Sequence, residues 1–258
     1  MQTLAGTAKL GVWVRRIAVI AIASVSVASF SLAAGASSGS GLQGKSAEQV
    51  WALAVAAAES KGSVHMVEKP FLCCGATNVF GKNGELVTDD GQSEGSQTVS
   101  SGGMYGQAMF LVVPGTAYMQ GDTSWTTLIW SWPSFYAGKW IAIPSSNSNY
   151  QSALYGVTLG TLLSAEKPTG HLTLTPKTTI RGKKMVGVSG GMVTTDWPSD
   201  VKGSVVVYVS AVAPYLPVES VFHVTENGHK TTVSDTFSNW GEPISVTAPA
   251  SSVPYPSG

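Results

Sequence analysis

The sequence predicts a mainly β, α+β domain: one strongly curved antiparallel sheet, a half-barrel of about ten or eleven strands, wrapping two or three helices. Three observations predict it. Only 12% of the residues are charged, while Gly, Ser, Thr, Val, Trp and Tyr are common, a blend that suits strands and turns. The spacing of apolar residues changes from 3.6 to 2 just after Gly62. Turn signals then punctuate the chain at Asn83-Gly84, Pro114-Gly115 and Asn227-Gly228.

An export pattern comes first. Arg15 and Arg16 precede an uncharged run over 17–34, and Ala34-Gly35-Ala36 is a small-x-small triplet suited to signal peptidase. The run also just reaches the roughly 17 residues that a spanning helix needs. A signal cleaved after Ala36 and an uncleaved membrane anchor therefore both fit. Leu32-Ala33-Ala34-Gly35 has the approach of a lipoprotein signal, but Ala36 stands where the lipid-bearing thiol would be. Residues 37–45 read as a flexible linker, 46–249 as one domain long enough for a sizeable core, and 250–258, with Pro254 and Pro256, as a tail. Residues 1–36 hold three basic residues and no acidic one, so the remainder is slightly acidic and gives no reason to expect nucleic acid as a partner.

Ser46-Ala47-Glu48-Gln49 is a capping box, because hydroxyl and side-chain amide each satisfy the other's backbone N–H. A helix follows over 47–60, with Val50, Trp51, Ala54, Ala57 and Ala58 on one face and Lys61-Gly62 as its stop. Strands are predicted over 63–68, 77–82, 85–88, 98–101, 107–113 and 117–120. Residues 125–132 form a short helix or an irregular lid, 140–143 a short edge strand, and 150–163 a second helix interrupted by Gly156 and Gly160. Strands over 184–194, 203–209, 217–226, 230–237 and 244–248 complete the sheet.

Catalytic signatures are missing from this pattern. No nucleophile elbow, zinc-protease motif or lysine-bearing phosphate loop occurs, so a non-enzymatic protein without a cofactor is expected. Asp89, Asp90 and Glu94 lack the spacing of a calcium loop. His65, His171, His223 and His229 lack metal-ligand spacing, so no metal is expected. Asp122 is a pairing candidate for Lys139. Cys73 and Cys74 are the only cysteines. Adjacent Cα atoms lie about 3.8 Å apart, below the usual disulfide range, so a bridge between them closes a strained ring. A vicinal disulfide and two free or intermolecular thiols are both open, and neither is catalytic in this reading.

The aromatics say more. Trp125, Trp130, Trp132, Phe135, Tyr136 and Trp140 fall close together and either pack as core over the sheet or rim a pocket for an apolar ligand. The alternations Met109, Leu111, Val113 and Val205, Val207, Val209 predict one continuously apolar sheet face. A face that meets the small side chains of Ala54 and Ala57 is underfilled unless rings or a guest occupy the gap. The candidate ligand-lining residues are therefore Trp51, Ala54, Ala57, Met109, Leu111, Val113, Trp125, Trp130, Trp132 and Trp140, with 125–136 as the movable element.

Several short motifs occur in a familiar order: Gly62-Ser63-Val64-His65, Thr116-Ala117-Tyr118-Met119, Gly138-Lys139-Trp140-Ile141, Gly187-Val188-Ser189-Gly190, Leu216-Pro217 and Phe237-Ser238-Asn239-Trp240-Gly241. In that order, over about residues 46–249, the chain resembles the actinobacterial envelope lipoproteins of the LppX/LprG type, whose fold resembles LolA and LolB. The resemblance implies a bent sheet around helices, a hydrophobic cavity, and carriage of a lipid or lipidated molecule without a cofactor. It also implies a membrane transporter or envelope protein as a further partner, and an extracellular or envelope location at the outer face of the cytoplasmic membrane. Ala36 and the pair Cys73-Cys74 depart from the family pattern. The alternative function is a structural or protein-interaction module of the envelope with a filled core and no small ligand.

Overall fold

Helix α1 (Ala47–Lys61) starts at the capping box that Ser46 and Gln49 encode. The Gln49 N–H donates to the Ser46 hydroxyl at 3.3 Å, and the Ser46 N–H donates to the Gln49 side chain at 3.0 Å. It stops at Gly62, which takes the left-handed conformation at φ 73° and donates its N–H to the carbonyls of Ala58 and Glu59. The computed structural model describes residues 41–69, 79–80, 85–88, 93–101, 104–154, 157–193, 201–226, 228–243 and 246–256. The N-terminal segment 1–36, Cys73 and Cys74, the Asn83-Gly84 turn, and Asp89 and Asp90 lie outside the described residues.

The period-2 segments form strands β1 (Ser63–Lys69), β2 (Val79–Phe80), β3 (Glu85–Thr88), β4 (Ser93–Ser101), β5 (Met104–Val113) and β6 (Thr116–Gly121). After β7 (Ile141–Pro144) come two short helices, α2 (Tyr150–Leu154) and α3 (Leu159–Ala165). The helix expected over 150–163 is thus two helices, because Thr158 begins a capping box of its own with Thr161. The chain continues through β8 (Thr169–Leu174), β9 (Thr178–Ile180), β10 (Lys183–Gly191), β11 (Lys202–Ser210), β12 (Pro217–Glu226), β13 (His229–Ser238) and β14 (Val253–Pro254).

These strands make one 14-stranded sheet in the order β14-β7-β6-β5-β4-β3-β1-β13-β12-β11-β10-β8, with β2 added on β1 and β9 on β10. The pairings are antiparallel except that of β14 with β7. The half-barrel of ten or eleven strands is corrected by this topology. The sheet is open, with β14 at one edge and β8 at the other, and it is neither closed nor strongly curved. A sheet of more than about ten strands must curl, split or flatten. The short edge strands β8, β9 and β14, which periodicity did not reveal, widen this sheet without closing it. The terminal segment read as a tail supplies β14, whose Val253 lies in register with Ile141. Residues 246–248, expected in a strand, are not in one.

Among the described residues, three apolar clusters make the core. The first joins α1 to β10, β11, β12 and β13 through Val50, Trp51 and Ala54 against Val188, Val205 and Phe222. The second lies on β5, β6 and β7, where Phe110, Met119 and Ile141 meet Trp125 and Ala153. The third, between them, joins Ala58 of α1 to Val64 and Met66 of β1, Phe237 of β13, and Leu159, Leu162 and Leu163 of α3.

Candidate ligand site

The candidate residues divide among three places. Trp51 and Ala54 are buried together in the first cluster, and Ala57, one step round the helix, is half-buried. Trp125 is buried in the second cluster, with Trp130 and Trp132 packed against it, while Trp140 is half-buried. Met109, Leu111 and Val113 form the opposite phase of β5 from Ala108, Phe110 and Val112, which are the residues that enter the second cluster. Met109 is 37% exposed. Both phases of this strand are apolar, so alternation marked two faces with equal weight. The apolar phase of β11, Val205, Val207 and Val209, does enter the first cluster as expected.

The aromatic segment is built on a glycine. A Cβ on Gly121 would meet Trp125 Cδ1 at 2.9 Å and Trp130 Cζ3 at 3.1 Å, so only glycine lets both indoles lie on the end of β6. Asp122 accepts the Trp125 N–H at 2.7 Å and so starts a wide helical turn, Trp125–Ile129, closed by the Trp130 N–H on the Trp125 carbonyl at 3.1 Å. The rings then meet edge to face: Phe110 with Trp125 at 6.2 Å between centroids, and Trp125 with Trp130 at 5.9 Å. Trp132 stands against Tyr255 of the C-terminal segment at 5.2 Å. Further along, Phe135 is 60% exposed, with the Lys139 ammonium 5.4 Å from its ring centroid. The segment is tied to β6 by Gly138 N–H on the Gly121 carbonyl at 2.8 Å and Gln120 Nε2 on the Gly138 carbonyl at 2.7 Å.

A polar seam crosses the interior where sequence reasoning named no site residue. The inward phase of β12 runs Val224, Phe222, Ser220, and that of β13 runs Val233, Asp235, Phe237. Ser220 and Asp235 are register partners, and Val207 of β11 lies on the other side of Ser220. Ser220 is 0% exposed and Asp235 1%. The Ser220 Oγ has no hydrogen-bond partner among the described residues. The seam separates the first cluster, which holds Phe222 and Val233, from the third, which holds Phe237. The signal for it was present: Ser220 and Asp235 are polar residues in the apolar phase of otherwise alternating strands. Among the described residues, no group of three or more His, Cys, Asp or Glu is placed to hold a metal ion.

No family model matches the chain, and neither does any curated protein. Among solved structures it is similar to LprF from Mycobacterium bovis, with a TM-score of 0.49 and 18% identity over 80% of this chain and 97% of that one. It is also similar to the Mycobacterium tuberculosis lipoprotein LppX, with a TM-score of 0.44 and 15% identity over 77% of this chain and 98% of that one. The LppX match is of the type that the order of motifs resembles.

Proposed function

We propose that this protein is an exported, envelope-associated and non-enzymatic carrier of a lipid or similar apolar ligand that bears a polar group, held between α1 and the strands β10 to β13. The observation that carries the reading is the buried, unpartnered hydroxyl of Ser220 beside Asp235, in the middle of an apolar layer. An unsatisfied buried hydroxyl costs about 1–3 kcal/mol. A core with only a structural role gains nothing from it, whereas a guest's polar group would repay it. Apolar parts of the guest supply the main driving force, about 0.8 kcal/mol for each methylene taken from water. Release requires that helix and sheet part. The buried face of α1 includes Ala47, Ala54 and Ala58, so less apolar area is exposed on parting than a leucine-lined helix would expose. A membrane transporter or another envelope protein is the partner that such a carrier would deliver to or receive from.

A second reading is a structural or interaction module with a filled core, and it is favoured by the burial of Trp51 and Trp125 within packed clusters. One experiment separates the two. Native mass spectrometry of the full chain purified from its own envelope, followed by organic extraction, is expected to show a bound lipid. The Ala54→Trp and Ser220→Ala variants are expected to fold and to lose part or all of that mass. A wild type with no adduct that also fails to take up a fluorescent fatty-acyl probe would leave the structural reading standing. In that case Ala54→Trp only overpacks, at a cost of about 1–3 kcal/mol.

A further inference from the structure

The chain's charge is unevenly placed. Lys177, Arg181, Lys183 and Lys184 fall within eight residues on the β9–β10 hairpin, and all four are exposed. No acidic residue occurs between Glu166 and Asp196, or between Asp200 and Glu219. The hairpin abuts the turn from β11 to β12, because the Ala211 N–H donates to the Lys184 carbonyl at 2.9 Å. That turn is apolar at its tip. Val212 is 66% exposed, and Ala213 and Pro214 beside it are exposed too. It is also rigid: the Ser210 hydroxyl donates to the Val212 carbonyl at 2.7 Å and accepts the Val212 N–H at 3.3 Å, while the Tyr215 N–H donates to the Val212 carbonyl at 3.1 Å. A rigid apolar tip costs little ordering entropy on binding. Arg181 Nη2 donates to Thr236 Oγ1 at 3.3 Å, and Thr236 is the register partner of Glu219, so a single carboxylate lies beside the Arg181 end of the cluster.

The described chain begins at this same end, at Gly41. A Cβ built on Gly41 would lie 3.7 Å from the Ala211 carbonyl. The uncharged run over 17–34 ends seven residues before Gly41, a span of at most about 25 Å of extended chain. Two independent features, the basic hairpin with its apolar tip and Gly41, to which the N-terminal segment is joined, therefore coincide at one end of the sheet.

We propose that the β9–β10 hairpin and the β11–β12 turn form a docking surface for an anionic lipid membrane, with Val212 entering the headgroup layer and Lys177, Arg181, Lys183 and Lys184 pairing with lipid phosphates. Apolar tips with basic collars bind such surfaces because burial and electrostatic attraction add, and the attraction fades within a Debye length. The surface is separate from the interior ligand site, so it stands whether or not that site holds a guest.

Hydrogen exchange read by mass spectrometry tests this on the full chain, free and with vesicles of phosphatidylcholine alone or mixed with phosphatidylglycerol. Amides of 178–184 and 211–216 are expected to slow only with the mixed vesicles. The β12–β13 turn is the internal control, since Glu226 lies nine residues along β12 from Pro217, about 30 Å away. Reversing Arg181, Lys183 and Lys184 to Glu is expected to abolish the slowing, as is Val212→Asp, while Lys202→Glu and Lys230→Glu at the far end of the strands leave it intact. Unchanged exchange with mixed vesicles, equal slowing with phosphatidylcholine alone, equal slowing at the control turn, or slowing that survives the triple reversal each overturns the proposal. Slowing of the same amides by dextran sulfate in solution, matching that by vesicles, overturns it in favour of a soluble polyanion site.

Discussion

Two halves of one sheet are covered in different ways. On β10 to β13 the cover is a capped helix with small side chains, and the strands beneath present a regular aliphatic phase. On β5 to β7 the cover is an aromatic segment with one wide helical turn, and three indoles stand over a glycine, Phe110 and small or aliphatic strand residues. A helix obtains its hydrogen bonds internally, so its contact with the sheet is carried by side chains alone. The aromatic segment borrows hydrogen bonds from β6, at Gly121 and Gln120, and is therefore fastened to the sheet by backbone as well as rings. The first kind of cover can part from its sheet with its own structure intact. The second cannot. That contrast runs against the expectation of 125–136 as the movable element and makes α1 the better candidate.

The largest test of the comparison is the loss of one indole from each half. Trp125→Ala removes a buried ring that meets both Phe110 and Trp130, and it is expected to cost about 3–5 kcal/mol in urea unfolding. Trp51→Ala is expected to cost less, because a helix held by side chains alone can settle into part of the space. Equal losses would mean that the two covers are equally rigid, and the assignment of mobility to α1 would fail.

The sequence made the first half legible and the second opaque, for reasons that particular residues show. Ser46, Gln49 and Gly62 mark both ends of α1 by hydrogen-bond chemistry that is local to a few residues. Across 204–210 one phase is Ser204, Val206, Tyr208 and Ser210 and the other is Val205, Val207 and Val209, so the serines at both ends and the tyrosine mark the all-valine phase as the more apolar. In β5, by contrast, Ala108 to Val113 are apolar without a break, and nothing in the strand itself says which phase meets the indoles. The pairing of β14 with β7 joins segments more than a hundred residues apart, and two residues of strand carry no periodicity. Strands β8 and β9 are short: β8 shows only two alternating apolar residues, Leu172 and Leu174, and the exposed Thr178 and Thr179 of β9 leave no apolar rhythm to read. At the candidate site, the alanine face and the indoles are legible in the sequence as apolar patterns, whereas Ser220 and Asp235 show only as single polar breaks in an apolar phase, which surface strands also carry.

Glycines sharpen the comparison at smaller cost. In the first half, a Cβ on Gly203 would lie 2.6 Å from the His223 carbonyl and closer still to the Met192 sulfur. The carbonyl belongs to the β11–β12 ladder and has nowhere to go. In the second half, the Cβ on Gly121 meets side chains alone: Trp125 at its Cδ1 (2.9 Å) and Cβ (3.1 Å), and the Trp130 ring at 3.1 Å. Each Gly→Ala change is expected to cost about 1–3 kcal/mol, with Gly203→Ala the larger. Only Gly121→Ala is expected to shift the tryptophan emission, since it alone moves Trp125 and Trp130. An emission change of similar size in Gly203→Ala would show that the two halves are mechanically coupled across the sheet.

The smallest effect concerns how the second half is closed. Tyr255 packs on Trp132 and donates its N–H to the Ala142 carbonyl at 3.1 Å, so it holds the C-terminal segment against β7. Burial disfavours the phenolate and raises the Tyr255 pKa above its ordinary value of 10.0. A raised folded value means that the folded state binds the proton more tightly than the unfolded chain does. The stabilisation is then present in full below the unfolded pKa and is lost as pH rises through the folded one. Melting temperatures of wild type and Tyr255→Phe are therefore expected to run parallel below the ordinary phenol value of about 10 and to diverge as pH rises above it, with the wild type falling faster. No comparable loss is expected at α1, which holds no tyrosine. If exchange of the α1 amides accelerates in step with release of 253–256 on that alkaline limb, the two covers open together and the contrast between them is lost. If 253–256 opens alone, the aromatic half has its own low-energy opening at the chain terminus, while the motion assigned to ligand release stays with the helix.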